Sequence, residues 1–155
     1  MDKFTVNVVG GSLQAMDDAI FLKGQELALA AQAAMGRTFY GVVMNNFGEA
    51  GEDRPHDWEM LSDAYSRKVG RPHATLYVSG ALKEAVDKDL ERPQGALVSA
   101  DDNDIPYALV HQWGGGNNIP ARPYFPVLPS GEVTGYTEAK CVEAAREAVA
   151  KELKR

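Results

Sequence analysis

The residues with the richest potential chemistry are three histidines, His56, His73 and His111, set among 22 aspartates and glutamates. Imidazole nitrogens and carboxylate oxygens ligate zinc, and a histidine near a carboxylate can carry protons around neutral pH. No two of these histidines stand at the helical or ribbon spacing of a zinc site, and no His-Glu-x-x-His occurs. The expectation is an exposed His56 and His73 with a packed or hydrogen-bonded His111. A metal site assembled in space, as in a small metal-dependent hydrolase using scattered His and carboxylates, is the alternative.

Other candidate chemistry is weaker. Asp101-Asp102-Asn103-Asp104 offers oxygen ligands in a row. Ile105 and Pro106, however, fall where a calcium loop needs its next ligand and its glycine, so a solvated turn is expected. Gly10-Gly11 follows an apolar segment as in a nucleotide-binding turn, but Leu13 and Ala15 occupy the positions of the further glycines. Cys141 has no histidine nearby and is expected to be an inert thiol. Ser79-Gly80 lacks the glycine two residues earlier that a nucleophile elbow requires. The residues therefore predict no catalytic set, no cofactor and no metal.

The elements that position these groups follow from periodicity. Phe4, Val6 and Val8 alternate with polar residues, predicting a strand over 4–9. Ser12 is a plausible N-cap for a short helix to about Leu22, punctuated by Gly24. A second helix is expected from about Gln25 to Asn46, with Leu27, Ala31, Ala34, Met35, Phe39, Val42 and Val43 as its apolar stripe. Its alanine-rich stretch would permit close approach of another element. Residues 48–57 predict an exposed loop. Ser62-Asp63 caps a short helix to about Val69, ended by Gly70. Ala81–Val86 suits a helix, and Leu76–Val78 either a strand or its approach. Ala96–Ser99 predicts a short strand, and residues 107–113 a compact apolar segment stopped by three glycines.

Beyond it, Pro120, Pro123, Pro126 and Pro129 recur every third residue. Proline fixes φ and donates no backbone hydrogen bond, so an extended or edge-strand arm is expected over 117–135. Such an arm must lie on its own domain or on a neighbour. A terminal helix over 136–155 carries Val142, Ala145, Val149 and Leu153. No internal repeat is evident.

Composition narrows the class. The 155 residues carry 16 Lys and Arg against 22 Asp and Glu, a net charge of −6, with 45% hydrophobic content. This fits one globular domain over 1–155 and argues against a DNA-wrapping protein, which needs clustered cations. No segment reaches the ~20 apolar residues of a membrane span. The first nine residues lack the character of a signal peptide, and the lone Cys141 excludes an internal disulfide. Synthesis in a reduced cytoplasm is expected.

Two segments carry a family resemblance. One is Trp58-Glu59-Met60-Leu61-Ser62-Asp63-Ala64-Tyr65, followed by Arg67-Lys68 and Leu76-Tyr77-Val78-Ser79-Gly80-Ala81-Leu82. The other is Tyr107-Ala108-Leu109-Val110-His111-Gln112-Trp113-Gly114-Gly115, followed by Ile119-Pro120-Ala121-Arg122-Pro123-Tyr124-Phe125. In this order they resemble the virion morphogenesis proteins of tailed bacteriophages, of the Mu-like tail completion or tail terminator type. The likeness covers residues 25–130; the segment 1–24, the Pro126–Gly135 extension and the long terminal helix are additions to the usual pattern.

The resemblance implies an α+β fold, a small antiparallel β-sheet flanked by a long N-terminal helix and a C-terminal helix. It implies a non-enzymatic virion protein that completes the tail or joins it to the head. Such a protein is a homo-oligomer, commonly a hexameric ring, contacting tail-tube or connector proteins. Double-stranded DNA passes through without specific binding, a passage that an acidic lining would keep mobile. It is made in the cytoplasm of the bacterial host and resides in the virion. The arm, with Tyr124, Phe125, Val127 and Leu128, is expected to supply subunit contacts. Arg122 is expected to pair with a carboxylate or pin its loop, and Gln112 and Trp113 to pack where the arm begins. A peptide-binding adaptor using the proline repeat is the lowest-ranked alternative.

Overall fold

The computed structural model describes residues 10–48, 51–70, 76, 80–92, 95–100, 107–116 and 118–155. The protein is α+β: a long N-terminal helix, a two-stranded antiparallel sheet and a C-terminal helix, with short helices between them. The expected strand over 4–9, His73 and the turn at 101–104 lie outside the described residues.

Helix α1 runs unbroken over Gly10–Asn46, 37 residues and so about 55 Å long at ~1.5 Å per residue. This corrects two expectations. Ser12 lies inside the helix, not at its cap, and Gly24 does not divide it. A single glycine costs a helix only about 1 kcal/mol relative to alanine, and the neighbouring Leu, Lys, Gln, Glu and Ala are good helix formers. The partner for the alanine-rich stretch is the C-terminal helix α5 (Gly135–Glu152), which packs along α1. Two contacts set its antiparallel direction. Cys141 Sγ lies 3.6 Å from the Met35 carbonyl, and Lys23 Nζ lies 3.5 Å from Glu152 near the end of α5. The Cys141 thiol is buried there, and burial pushes its pKa up.

The short helix α2 (Asp63–Val69) follows the sequence closely. Ser62 Oγ accepts from the Tyr65 amide, and Gly70 closes the helix in the left-handed region at φ 67°. Helix α3 (Ala81–Glu84) is shorter than expected, because Val86 opens strand β1 (Val86–Arg92). β1 pairs antiparallel with β2 (Gly95–Ala100), in the register Val86↔Ala100, Lys88↔Val98. Charged residues hide β1 from sequence patterning. Its alternation works in space because Val86 joins the core while Lys88 lays its ammonium over the Tyr40 ring of α1, 4.4 Å from the centroid.

The core lies at the C-terminal half of α1, where Val43 meets Leu82, Val86, Ala108 and Tyr124. Helix α4 (Ala108–Trp113) and the proline arm close it. No helix among the described residues is long and apolar enough to cross a membrane.

Candidate functional site

The two signature segments converge on the backbone of residues 121–126. This arm belongs to no helix or named strand, so its amides and carbonyls need partners from elsewhere. Side chains supply most of them. Gln112, buried in α4, accepts at Oε1 from the amides of Tyr124 (3.1 Å) and Phe125 (3.0 Å). Its Nε2 donates to the Phe125 carbonyl at 3.2 Å. One carboxamide thus does the work of a neighbouring strand.

Asn46, at the end of α1, acts from the other side. It is fully buried and uses its whole bonding capacity. Nδ2 donates to the carbonyls of Tyr124 (3.1 Å) and Asp53 (2.8 Å), and Oδ1 accepts from the amides of Glu52 (2.9 Å) and Asp53 (2.8 Å). Trp58 Nε1 donates to the Pro123 carbonyl at 2.8 Å, and His56 Nε2 lies 3.3 Å from the Ala121 carbonyl. The Arg122 amide donates to the His111 carbonyl at 2.6 Å, and the Thr134 amide to that of Pro126 at 2.9 Å.

Glycines let the two limbs of this turn approach. A Cβ on Gly114, whose φ is 81°, would stand 3.2 Å from both the Ala121 nitrogen and the Ile119 oxygen. Gly115 pairs with Ile119 across the turn, its amide 3.0 Å from the Ile119 carbonyl.

The loop at 48–57 is only partly the exposed loop its composition suggests: Gly48, His56 and Asp57 are exposed, but residues 51–55 are half-buried. Arg54 stacks 3.6 Å above the Trp58 ring and donates to the Asn46 carbonyl through Nε (3.0 Å) and Nη2 (2.6 Å). Asp53 Oδ2 accepts from the Thr137 amide at 3.1 Å and from the hydroxyls of Thr134 and Thr137, capping α5 from far away in sequence. Beside it, Glu52 accepts from Lys140, from Asn45 Nδ2 (2.7 Å) and from the Tyr136 hydroxyl (3.3 Å). The Lys140 hydrogen bond, foremost, holds the Glu52 carboxyl below its ordinary value.

The expected site residues divide into two sets. Gln112, Arg122, Pro123 and Tyr124 are buried, and Phe125 stacks on Phe39 with centroids 6.1 Å apart. The Tyr124 ring lies 5.3 Å from that of Phe47, and its hydroxyl donates to the Ala108 carbonyl at 3.3 Å. The arm's aromatic anchors therefore cover this chain's own core, and Val127 and Leu128 are half-buried beside them. Pointing outward are Leu109 (57% exposed), Trp113 (47%), Tyr107 and Ile119. Gln112 is buried against the arm, while the half-exposed Trp113 lines a shallow cavity with Tyr124, Phe125 and Val127. Pro120, Gly114 and Gly115 shape the turn between the two sets.

Arg122 makes no ion pair among the described residues. Its Nε donates to the Glu59 backbone carbonyl at 3.1 Å, which pins the loop, and burial lowers its pKa. His111 packs edge-on against Tyr107 with centroids 5.4 Å apart, and its buried Nδ1 has no hydrogen-bond partner. Burial first, and the Arg122 charge second, push its pKa below the ordinary 6.5. No group of three or more His, Cys, Asp or Glu able to hold a metal ion occurs among the described residues.

Sequence reasoning missed Asn46 and Asp53. Neither has a local signature: an asparagine at a helix end and an aspartate in an acidic loop are commonplace. Compared with known proteins, the chain matches no protein-family model, no curated protein and no solved structure.

Proposed function

We propose that this chain is a structural subunit of a tailed-phage virion, completing or terminating the tail or joining it to the head as a ring around the DNA channel. The reading starts from the resemblance of residues 58–82 and 107–125. One structural observation supports it: Gln112 of the signature segment spends its carboxamide on the arm's own backbone, while apolar side chains beside it turn outward. Gln112 bonds the arm's backbone, Arg122 donates to a carbonyl, and Leu109 and Trp113 face solvent. An assembly face needs rigid apolar anchors on a fixed scaffold.

The test is Leu109→Ser combined with Trp113→Ser in the phage or prophage that carries the gene. Both side chains are exposed, so folding stability should change by less than about 1 kcal/mol. Joined particles should disappear, with free heads and unfinished tails accumulating. Normal infectious particles from the double variant would contradict the proposal. Stoichiometric metal in the purified protein would instead favour the hydrolase alternative.

A further inference from the structure

Arg122 is only 7% exposed, yet most of its donors are unspent. A guanidinium carries five, and among the described residues only Nε has a hydrogen-bond partner, the Glu59 carbonyl at 3.1 Å. The exposed Glu59 carboxylate and the Tyr65 phenol act on it from farther off. A cation taken out of water this far is costly unless its charge and its N–H groups are met.

The guanidinium lines a cleft of about 910 Å³, which opens between residues 59–65, 80–82 and 118–122. Leu61, Leu76, Leu82, Ile119 and Pro120 supply much of its wall. The volume falls in the ~300–1,000 Å³ range of small-ligand sites, which combine apolar walls with a few fixed polar groups. His111 stands in the same wall, joined to Arg122 by the hydrogen bond from the Arg122 amide to the His111 carbonyl. Its buried Nδ1 also lacks a partner.

The chemistry of the missing partner follows from these groups. A buried cation calls for an anion, and the flat fork of a guanidinium matches the two oxygens of a carboxylate. With one arginine, and the Glu59 charge already acting on it, a single negative charge is balanced better than the double charge of a phosphate ester. The apolar wall calls for a hydrocarbon or aromatic body behind the carboxylate.

We infer that the Arg122 cleft binds a small organic acid. Its carboxylate lies on the free terminal nitrogens of Arg122, and its apolar body lies against Leu82 and Ile119. The site is complete within one chain, so it stands whether or not the chain assembles into a ring.

Titration of the full chain with 4-phenylbutyrate, followed through amide NMR shifts, tests it. Residues 59–65, 80–82 and 118–122 should respond with a Kd of about 1 mM, an ordinary affinity for a ligand of this size. 4-Phenylbutyramide has the same shape without the charge and should bind about tenfold more weakly, because it forfeits charge-assisted hydrogen bonds. Phenyl phosphate should also bind more weakly than the acid. Arg122→Gln should abolish the preference for acid over amide. Arg122 also pins its loop, so Met60→Asp provides a second variant at a rim position that is 72% exposed. It should weaken the acid about fivefold and leave the amide unchanged. Equal binding of acid and amide, tighter binding of phenyl phosphate, or no shift in the cleft at tenfold this concentration would overturn the inference.

Discussion

The proline arm and the projecting end of α1 both carry large apolar side chains, yet one is buried and the other is not. The reason lies in the backbone. A helix satisfies its own amides and carbonyls, so residues 18–22 can stand away from the body without leaving a polar group stranded. The arm has no such internal ladder and, with prolines at 120, 123, 126 and 129, cannot make one. It is stable only where Gln112, Asn46 and Trp58 meet its polar groups. In this protein the segment with no regular structure is held by side chains from α1, α4 and the loop before α2. The regular helix is the one that leaves Ile20, Phe21 and Leu22 exposed.

The contrast breaks most sharply at Tyr124, which is 2% exposed between Phe47 and Phe125. Tyr124→Ala should lower unfolding free energy by about 4 kcal/mol in urea titration, the usual cost of emptying a buried aromatic site. Next comes Asn46→Leu, which strands two amides and two carbonyls. A loss of about 3 kcal/mol is expected, and Gln112→Leu should lose about 2 kcal/mol, because unpaired buried polar groups each carry a desolvation cost. Should either variant prove neutral, the arm is not held by these carboxamides.

Smaller effects sharpen the comparison. Asp53→Ala should cost about 1 kcal/mol, as expected for a lost helix cap, and should increase hydrogen exchange first at the start of α5. Gly24→Ala lies on an exposed helical site with no atom near the added methyl, so it should gain about 0.5–1 kcal/mol. Phe21→Ser should change stability by less than about 0.5 kcal/mol, since that side chain is 66% exposed.

His111 gives the body a pH dependence with a defined sign. Its folded-state pKa is depressed by burial, so between that value and the ordinary 6.5 the unfolded chain binds more protons than the native one. Stability should therefore fall as pH drops below about 6.5. Glu52, also depressed, adds its own loss only as pH falls below the ordinary 4.5. Thermal unfolding of wild type and His111→Gln between pH 7.5 and 5.5 should show the steeper decline in wild type. Parallel curves would contradict this.

Much of the fold was legible where local chemistry decides structure. Ser62 and Gly70 delimit α2, the glycines after Trp113 stop α4, and the prolines forbid a helix in the arm. Errors arose where tertiary contact overrides local preference. Gly24 suggested a break that α1 ignores, and the charged β1 showed no strand pattern because Lys88 finds its apolar neighbour in Tyr40. The site was half legible. The motif located Gln112, Arg122 and Tyr124, but their inward direction depends on Asn46 and Asp53, whose partners are distant in sequence. The outward set, Leu109, Trp113 and Ile119, emerged only once α4 was placed on the core.

Imaging of purified phage particles, at a resolution that traces this chain and counts its copies, tests the central claim most directly. The account predicts a closed ring of identical subunits at the head-proximal end of the tail, with α4 facing a neighbouring protein. Its absence from finished particles, together with a purified protein that stays monomeric at every concentration, would contradict it.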